Sequence, residues 1–140
     1  MVSALGLDIG RKRIGIAGCD GTGLIATGLM TLERRSLRQD IDRLRQLVQQ
    51  RQVSVLVVGL PYMLDGTFGS QAKQVQRLAG RFSSALELPI EYVDERLTSF
   101  EAEQQMLAAH QSPSRDKSAI DRKAAAIILQ QWLDNRRAEA

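Results

Sequence analysis

Of the sixteen acidic residues in this 140-residue chain, three sit where a charge needs a reason. Asp8 interrupts the apolar run Ala4-Leu-Gly-Leu-Asp-Ile-Gly10, where a carboxylate is costly unless it is paired, hydrogen-bonded or coordinated. Strand alternation puts it on the face of Gly6 and Gly10, leaving room for a ligand or for backbone N–H groups that satisfy it. Glu95 follows the run Pro89-Ile-Glu-Tyr-Val93 with Asp94 and Arg96 as neighbours. Adjacent strand residues point to opposite faces, so Asp94 and Glu95 cannot both serve one site if the strand continues through them. Asp121 lies on a helical stripe continued by Ala125, Ile128 and Trp132, and it also closes a capping box that begins at Ser118. Carboxylates on three separate elements are hard oxygen donors of the kind that suit Mg²⁺ or Mn²⁺. Two such ions about 3.5–4 Å apart would activate a water and stabilise the leaving oxygen of a phosphodiester. Other acids, such as Asp40 and Asp42, read as solvated residues on the outer face of a helix.

These residues need a frame, and the hydrophobic pattern supplies one. Ala4–Gly10, Ile14–Gly18 and Leu24–Leu32 form three apolar runs separated by Arg11-Lys-Arg13 and Gly21-Thr-Gly23, which predicts three consecutive antiparallel strands. Ser36-Leu-Arg-Gln39 is a capping box before Leu37, Ile41, Leu44, Leu47 and Val48, a helix to about Gln50. Val53–Val58 is a β-branched run halted by Gly59-Leu-Pro61 and expected to lie parallel to an earlier strand. A polar loop from Tyr62 to Gly69 precedes a helical stripe from Ala72 to Leu86, and Pro89–Val93 is the last strand. Thr98-Ser-Phe-Glu101 opens a helix carrying Met106 and Leu107, and Gln111 to Lys117 is a polar loop containing Pro113. The final helix follows Ser118. The order is that of an α/β fold, and ligands on such sheets bind beyond the carboxyl ends of the strands.

Composition narrows the function classes. With 44% hydrophobic and 25% charged residues, residues 1–140 fit one globular domain. Cys19 alone excludes an internal disulfide or a multi-cysteine zinc site, and the lone His110 excludes a His-rich metal site. No apolar run reaches the roughly 18 residues of a membrane span, and the start lacks the pattern of a signal peptide, so a cytoplasmic protein with no membrane partner is expected. Fifteen of the nineteen basic residues are Arg, whose forked donors suit phosphate, so nucleic acid is the favoured partner.

The ordered blocks Leu7-Asp-Ile-Gly-Arg-Lys-Arg-Ile-Gly-Ile-Ala17, Val58-Gly-Leu-Pro61, Asp65-Gly-Thr67, Asp94-Glu-Arg-Leu-Thr98 and Ile120-Asp-Arg-Lys-Ala-Ala-Ala126 carry a resemblance. Through them the sequence resembles the YqgF family, described as Holliday junction resolvases and as pre-16S rRNA nucleases. The resemblance implies a ribonuclease H-like fold, a five-stranded mixed sheet whose first three strands are antiparallel, flanked by helices. It places an acidic triad on Asp8, Glu95 and Asp121, holding Mg²⁺ or Mn²⁺, two ions in all. Ribonuclease H-like nucleases often carry an acid at the end of the fourth strand, where this chain has Gly59-Leu-Pro61, so Glu95 would take that part. Lys12 and Arg13 at the first turn and Arg96 beside Glu95 are candidates for phosphate contacts, and Arg115 and Lys117 for ordering over nucleic acid. The expected substrate is pre-rRNA, within a ribosome precursor, with branched DNA as the alternative and a monomer or weak homodimer as the acting form. An actin-like ATPase shares the opening Asp-x-Gly but closes two such domains around ATP. A binding module with a vestigial acidic site would bind in a salt-dependent way without turnover.

Overall fold

The computed structural model describes residues 2–61, 69–94 and 117–139. Chain order is β1 (Ala4–Ile9), β2 (Arg13–Cys19), β3 (Ala26–Glu33), α1 (Leu37–Arg51), β4 (Val55–Leu60), α2 (Ser70–Leu86), β5 (Ile90–Asp94) and α3 (Lys117–Glu139). The five strands form one sheet in the order β3-β2-β1-β4-β5. β1–β2 and β2–β3 pair antiparallel, whereas β1–β4 and β4–β5 pair parallel. The mixed sheet with an antiparallel start is therefore as expected.

Alternation sorts the strands between two cores. Leu5, Leu7, Ile9, Ile14, Ile16, Leu56 and Val58 pack with α1 and α2 through Leu44, Val75 and Phe82. On the other face Ala4, Ala17, Val55 and Val57 meet Ala125, Ile128, Leu129 and Trp132 of α3. The face under α3 is floored with small residues, and this lets the helix approach closely. A methyl group on Gly6 would lie 2.8 Å from Leu129 Cβ, and one on Gly15 only 2.0 Å from the Asp121 carbonyl oxygen.

Local chemistry sets the ends of the elements. Ser36 Oγ accepts from the Gln39 N–H at 3.1 Å, the expected N-cap of α1. β4 runs through Gly59 and Leu60 and stops only at Pro61, two residues beyond the expected end, because both positions still pair with β5. β3 begins at Ala26, since Leu24 and Ile25 belong to a turn in which their N–H groups donate to Asp20 Oδ1. Asp40 is a further correction: it is buried, 4% exposed, and accepts from the Arg35 N–H at 3.1 Å. A first-turn carboxylate there satisfies a backbone donor where α1 begins, whereas Asp42, as expected, is exposed and pairs with Arg45. The expected helix after Thr98, the loop before Lys117, and the turn at Asp65-Gly66-Thr67 lie outside the described residues, as does His110.

Candidate functional site

Asp8 sits near the carboxyl end of β1, directly opposite Gly15 in the β1–β2 register. Directly opposed residues share a face, and Gly15 faces α3, so Asp8 points to the α3 side and is half-buried there. Its neighbour on that face, Gly6, is covered by Leu129 and the Ala125 carbonyl. The room expected beside Asp8 on the Gly6 side is thus filled by helix. Gly10 answers to a different constraint, because a Cβ there would come 2.9 Å from the Arg13 carbonyl oxygen in the turn.

Asp121 is brought to the same place by α3. Its backbone lies over Gly15, the residue opposite Asp8, so the approach of helix to strand juxtaposes the two acidic positions. The helix begins at Lys117, which places Ser118 inside it and leaves no acid in the first turn. Asp121 is therefore not closing a cap at Ser118; the Ser118 carbonyl instead accepts from Thr31 Oγ1 of β3 at 2.7 Å, pinning the start of the helix to the sheet. The predicted inward stripe is present, with Ala125, Ile128 and Trp132 all buried. The indole of Trp132 is core, stacked under Arg136 at 4.8 Å, and Cys19 is buried.

The Asp121 carboxylate has a fixed partner. Arg13, the first residue of β2, donates from Nε to Asp121 Oδ2 at 2.7 Å, and the side chains are 30% and 22% exposed. Arg13 and Lys12 were both expected near phosphate; Lys12 is exposed at the turn, while Arg13 reaches onto the α3 face and holds a carboxylate. Lys117 is exposed at the first position of α3. Glu95, Arg96 and Arg115 lie outside the described residues. Val93 packs into the α3-side core and pairs with Gly59, whereas Asp94 pairs with Leu60 of the other face. Among the described residues no group of three or more acidic, His or Cys side chains is gathered at one point; Asp8 and Asp121 are the two acids of the expected three that can be placed.

Gly15 is the residue that sequence reasoning missed. An isolated glycine inside a β-branched strand signals close approach of another backbone, and here that backbone carries Asp121. Two half-buried carboxylates on facing elements, one oriented by a guanidinium, make an oxygen-donor set that fits a hard divalent cation.

Comparisons with known proteins bear on the family and on the fold. The family model described as "RuvX: Holliday junction resolvase" matches residues 2–135. A protein of Trichormus variabilis, named "Putative pre-16S rRNA nuclease", is 63% identical over 139 residues, covering 99% of this chain and 92% of its own. One of the same name from Rippkaea orientalis is 63% identical over 136 residues, 97% and 98% of the two chains. Among solved structures, T. thermophilus RuvC in complex with a Holliday junction substrate aligns with a TM-score of 0.63 at 13% identity, over 100% of this chain and 98% of that one. The Fowlpox virus resolvase, solved with Holliday junction DNA, aligns with a TM-score of 0.61 at 8% identity, over 96% and 99%. At such identities the likeness to the two resolvases is one of fold.

Proposed function

The chain belongs to the RuvX (YqgF) family, and from that premise we propose that it is a divalent-metal-dependent nuclease, acting as one domain over residues 1–140 in the cytoplasm, that processes pre-16S rRNA. The nuclease activity is hydrolysis of phosphodiester esters. The observation that carries the site is the stacking of the Asp121 backbone over Gly15, the residue opposite Asp8, with Arg13 bonded to the Asp121 carboxylate. Asp8 and Asp121 would hold Mg²⁺ or Mn²⁺, with Glu95, the residue after Asp94, as the third donor. Bound there, two ions supply a water of lowered pKa and stabilisation of charge on the leaving oxygen.

The chain's own side chains do the rest. Arg13 fixes the direction of the Asp121 oxygens, so the carboxylate is preorganised before substrate arrives. Lys12 at the exposed turn and Lys117, one helical turn before Asp121 on α3, would offer cations to substrate phosphates; Arg96 and Arg115 would extend that set, as would Arg13 once substrate shares its guanidinium. Pre-rRNA is preferred because the relatives at 63% identity carry that name, whereas the junction-bound neighbours share only the fold. A Holliday junction resolvase is the second reading, favoured by the description of the family model itself. The RNA reading is compatible with a monomer or weak homodimer working on a ribosome precursor, whereas a resolvase calls for a symmetric dimer.

Cleavage of end-labelled pre-16S rRNA leader and of a four-way DNA junction, each with Mg²⁺ or Mn²⁺, tests both. Wild type should cut the RNA, and Asp8→Asn should lose that activity while staying folded. Cutting of the junction alone would replace the first reading with the second. Undiminished cleavage by pure, folded Asp8→Asn would overturn the site.

A further inference from the structure

Arg11, Lys12, Arg13, Glu33, Arg34 and Arg35 line an open groove of about 460 Å³ at the β1–β2 turn and the end of β3. Five cations against one carboxylate leave four positive charges there, on a chain whose total is +3; the rest of the molecule is slightly acidic. Arg13 is engaged by Asp121, but Arg11, Lys12, Arg34 and Arg35 make no ion pair among the described residues. The backbone beneath them is fixed. The Gly10 N–H donates to the Arg13 carbonyl and the Arg34 N–H to the Lys12 carbonyl, both at 2.8 Å. Arg34 Nη1 donates to the carbonyls of Gly10 and Arg11 at 2.8 and 3.2 Å, and the buried Asp40 holds the Arg35 N–H. Arg11 and Arg34 also wall a second cavity of about 240 Å³ shared with Gln71 and Gln74 of α2. The basic surface therefore runs from the Arg13–Asp121 pair, round the turn, to the start of α2.

Like charges held together on a rigid frame repel one another and gain when an anion enters. We propose that this groove is a phosphodiester subsite, in which Arg11, Lys12, Arg34 and Arg35 grip the sugar–phosphate backbone of one strand as it leaves the acidic centre. The subsite rests on the nuclease reading and extends it, placing the uncut part of the substrate on the turn side of the sheet. Among the described residues no aromatic side chain lines the groove, so the grip there is on phosphates whatever the sequence.

The test uses full-length Asp8→Asn as parent, so that cleavage does not consume the probe. Binding of a short mixed-sequence single-stranded RNA, and of its DNA counterpart, is followed by fluorescence anisotropy through a salt series. Arg11→Gln with Arg35→Gln removes two grips whose side chains make no hydrogen bond among the described residues, and circular dichroism checks the fold. Arg77→Gln with Arg81→Gln takes the same charge from the exposed face of α2. The groove pair should flatten the slope of log affinity against log salt by about 1.4, at ~0.7 per lost phosphate contact on a single strand. The α2 pair should leave the slope unchanged. Flattening with one probe alone supports the subsite and identifies the nucleic acid it takes. An unchanged slope, equal losses from both pairs, or no binding of either probe by the parent overturns it. Retained cleavage by Asp8→Asn would instead remove the acidic site, and failure of wild type to cleave would remove the nuclease reading, while the binding comparison judges the groove by itself.

Discussion

Arg13 shows how one residue can be placed correctly by sequence and still have its partner missed. Its position in a basic turn beside Asp8 suggests phosphate, but β2 begins at Arg13 and alternation directs it to the α3 face, onto Asp121. That pairing joins residues 108 positions apart, and no local pattern announces it. Groups that orient metal ligands typically contribute 10–100-fold to metal affinity or activity, so Arg13→Gln should weaken Mn²⁺ binding by about that range in calorimetry. Unaltered Mn²⁺ affinity would mean that Arg13 acts on substrate alone. Asp20 presents the opposite case, an exposed carboxylate with a purely structural task. The Ile25 N–H, then the Thr22 hydroxyl and the Leu24 N–H, hold its charged form and lower its pKa below the ordinary 3.8. A depressed folded pKa contributes stability that is fully present above pH 3.8 and is lost as pH falls through the folded value. An NMR titration should therefore show the Asp20 carboxyl titrating below 3.8, and the Leu24 and Ile25 amide shifts moving with it; a normal midpoint would say the turn is held by other contacts.

At the scale of elements, periodicity locates the strands and helices well, because each buries one face and its apolar spacing records that face. Boundaries are recorded less clearly. β4 continues through Gly59-Leu60 because β5 pairs with them, a tertiary cause that a local glycine signal opposes. Asp40 escapes notice for a similar reason: its spacing resembles a solvated helix position, while its real partner is the Arg35 N–H just before the helix. The contact of α3 with β2 is the element pair on which the site depends. Gly15→Ala would set a methyl group 2.0 Å from the Asp121 carbonyl oxygen, backbone against backbone, with no flexible side chain to give way. Overpacking of this kind costs about 1–3 kcal/mol, so Gly15→Ala should lower the urea midpoint accordingly. It should also lower nuclease activity by more than the unfolded fraction explains, since lifting α3 separates Asp121 from Asp8. Activity that falls only in step with folding would assign Gly15 to stability alone.

Over the whole molecule, the five-strand order follows from antiparallel hairpins leading into βα crossovers, which is why the architecture is legible in the sequence. The distribution of charge was not. A total of +3 conceals four net positive charges gathered at one turn, because folding alone brings Arg34 and Arg35 beside Arg11. The acidic centre on the neighbouring face is the complementary feature, and it links metal binding to global stability. Carboxylates gathered by folding belong to the native state, so a divalent ion that binds them stabilises that state by mass action. At a hundredfold excess over its dissociation constant an ion adds about 2.7 kcal/mol. For a chain of this size, that corresponds to a rise in Tm of roughly 5–10 °C, at ~2–4 °C per kcal/mol. Differential scanning fluorimetry with Mn²⁺ should show such a rise in wild type, reversed by EDTA. The rise should vanish in Asp8→Asn with Asp121→Asn, even if removing the two negative charges raises the metal-free Tm of that variant. An equal Mn²⁺ response in wild type and double variant would place the ion elsewhere on the surface, and the two aspartates would then have to act without holding it.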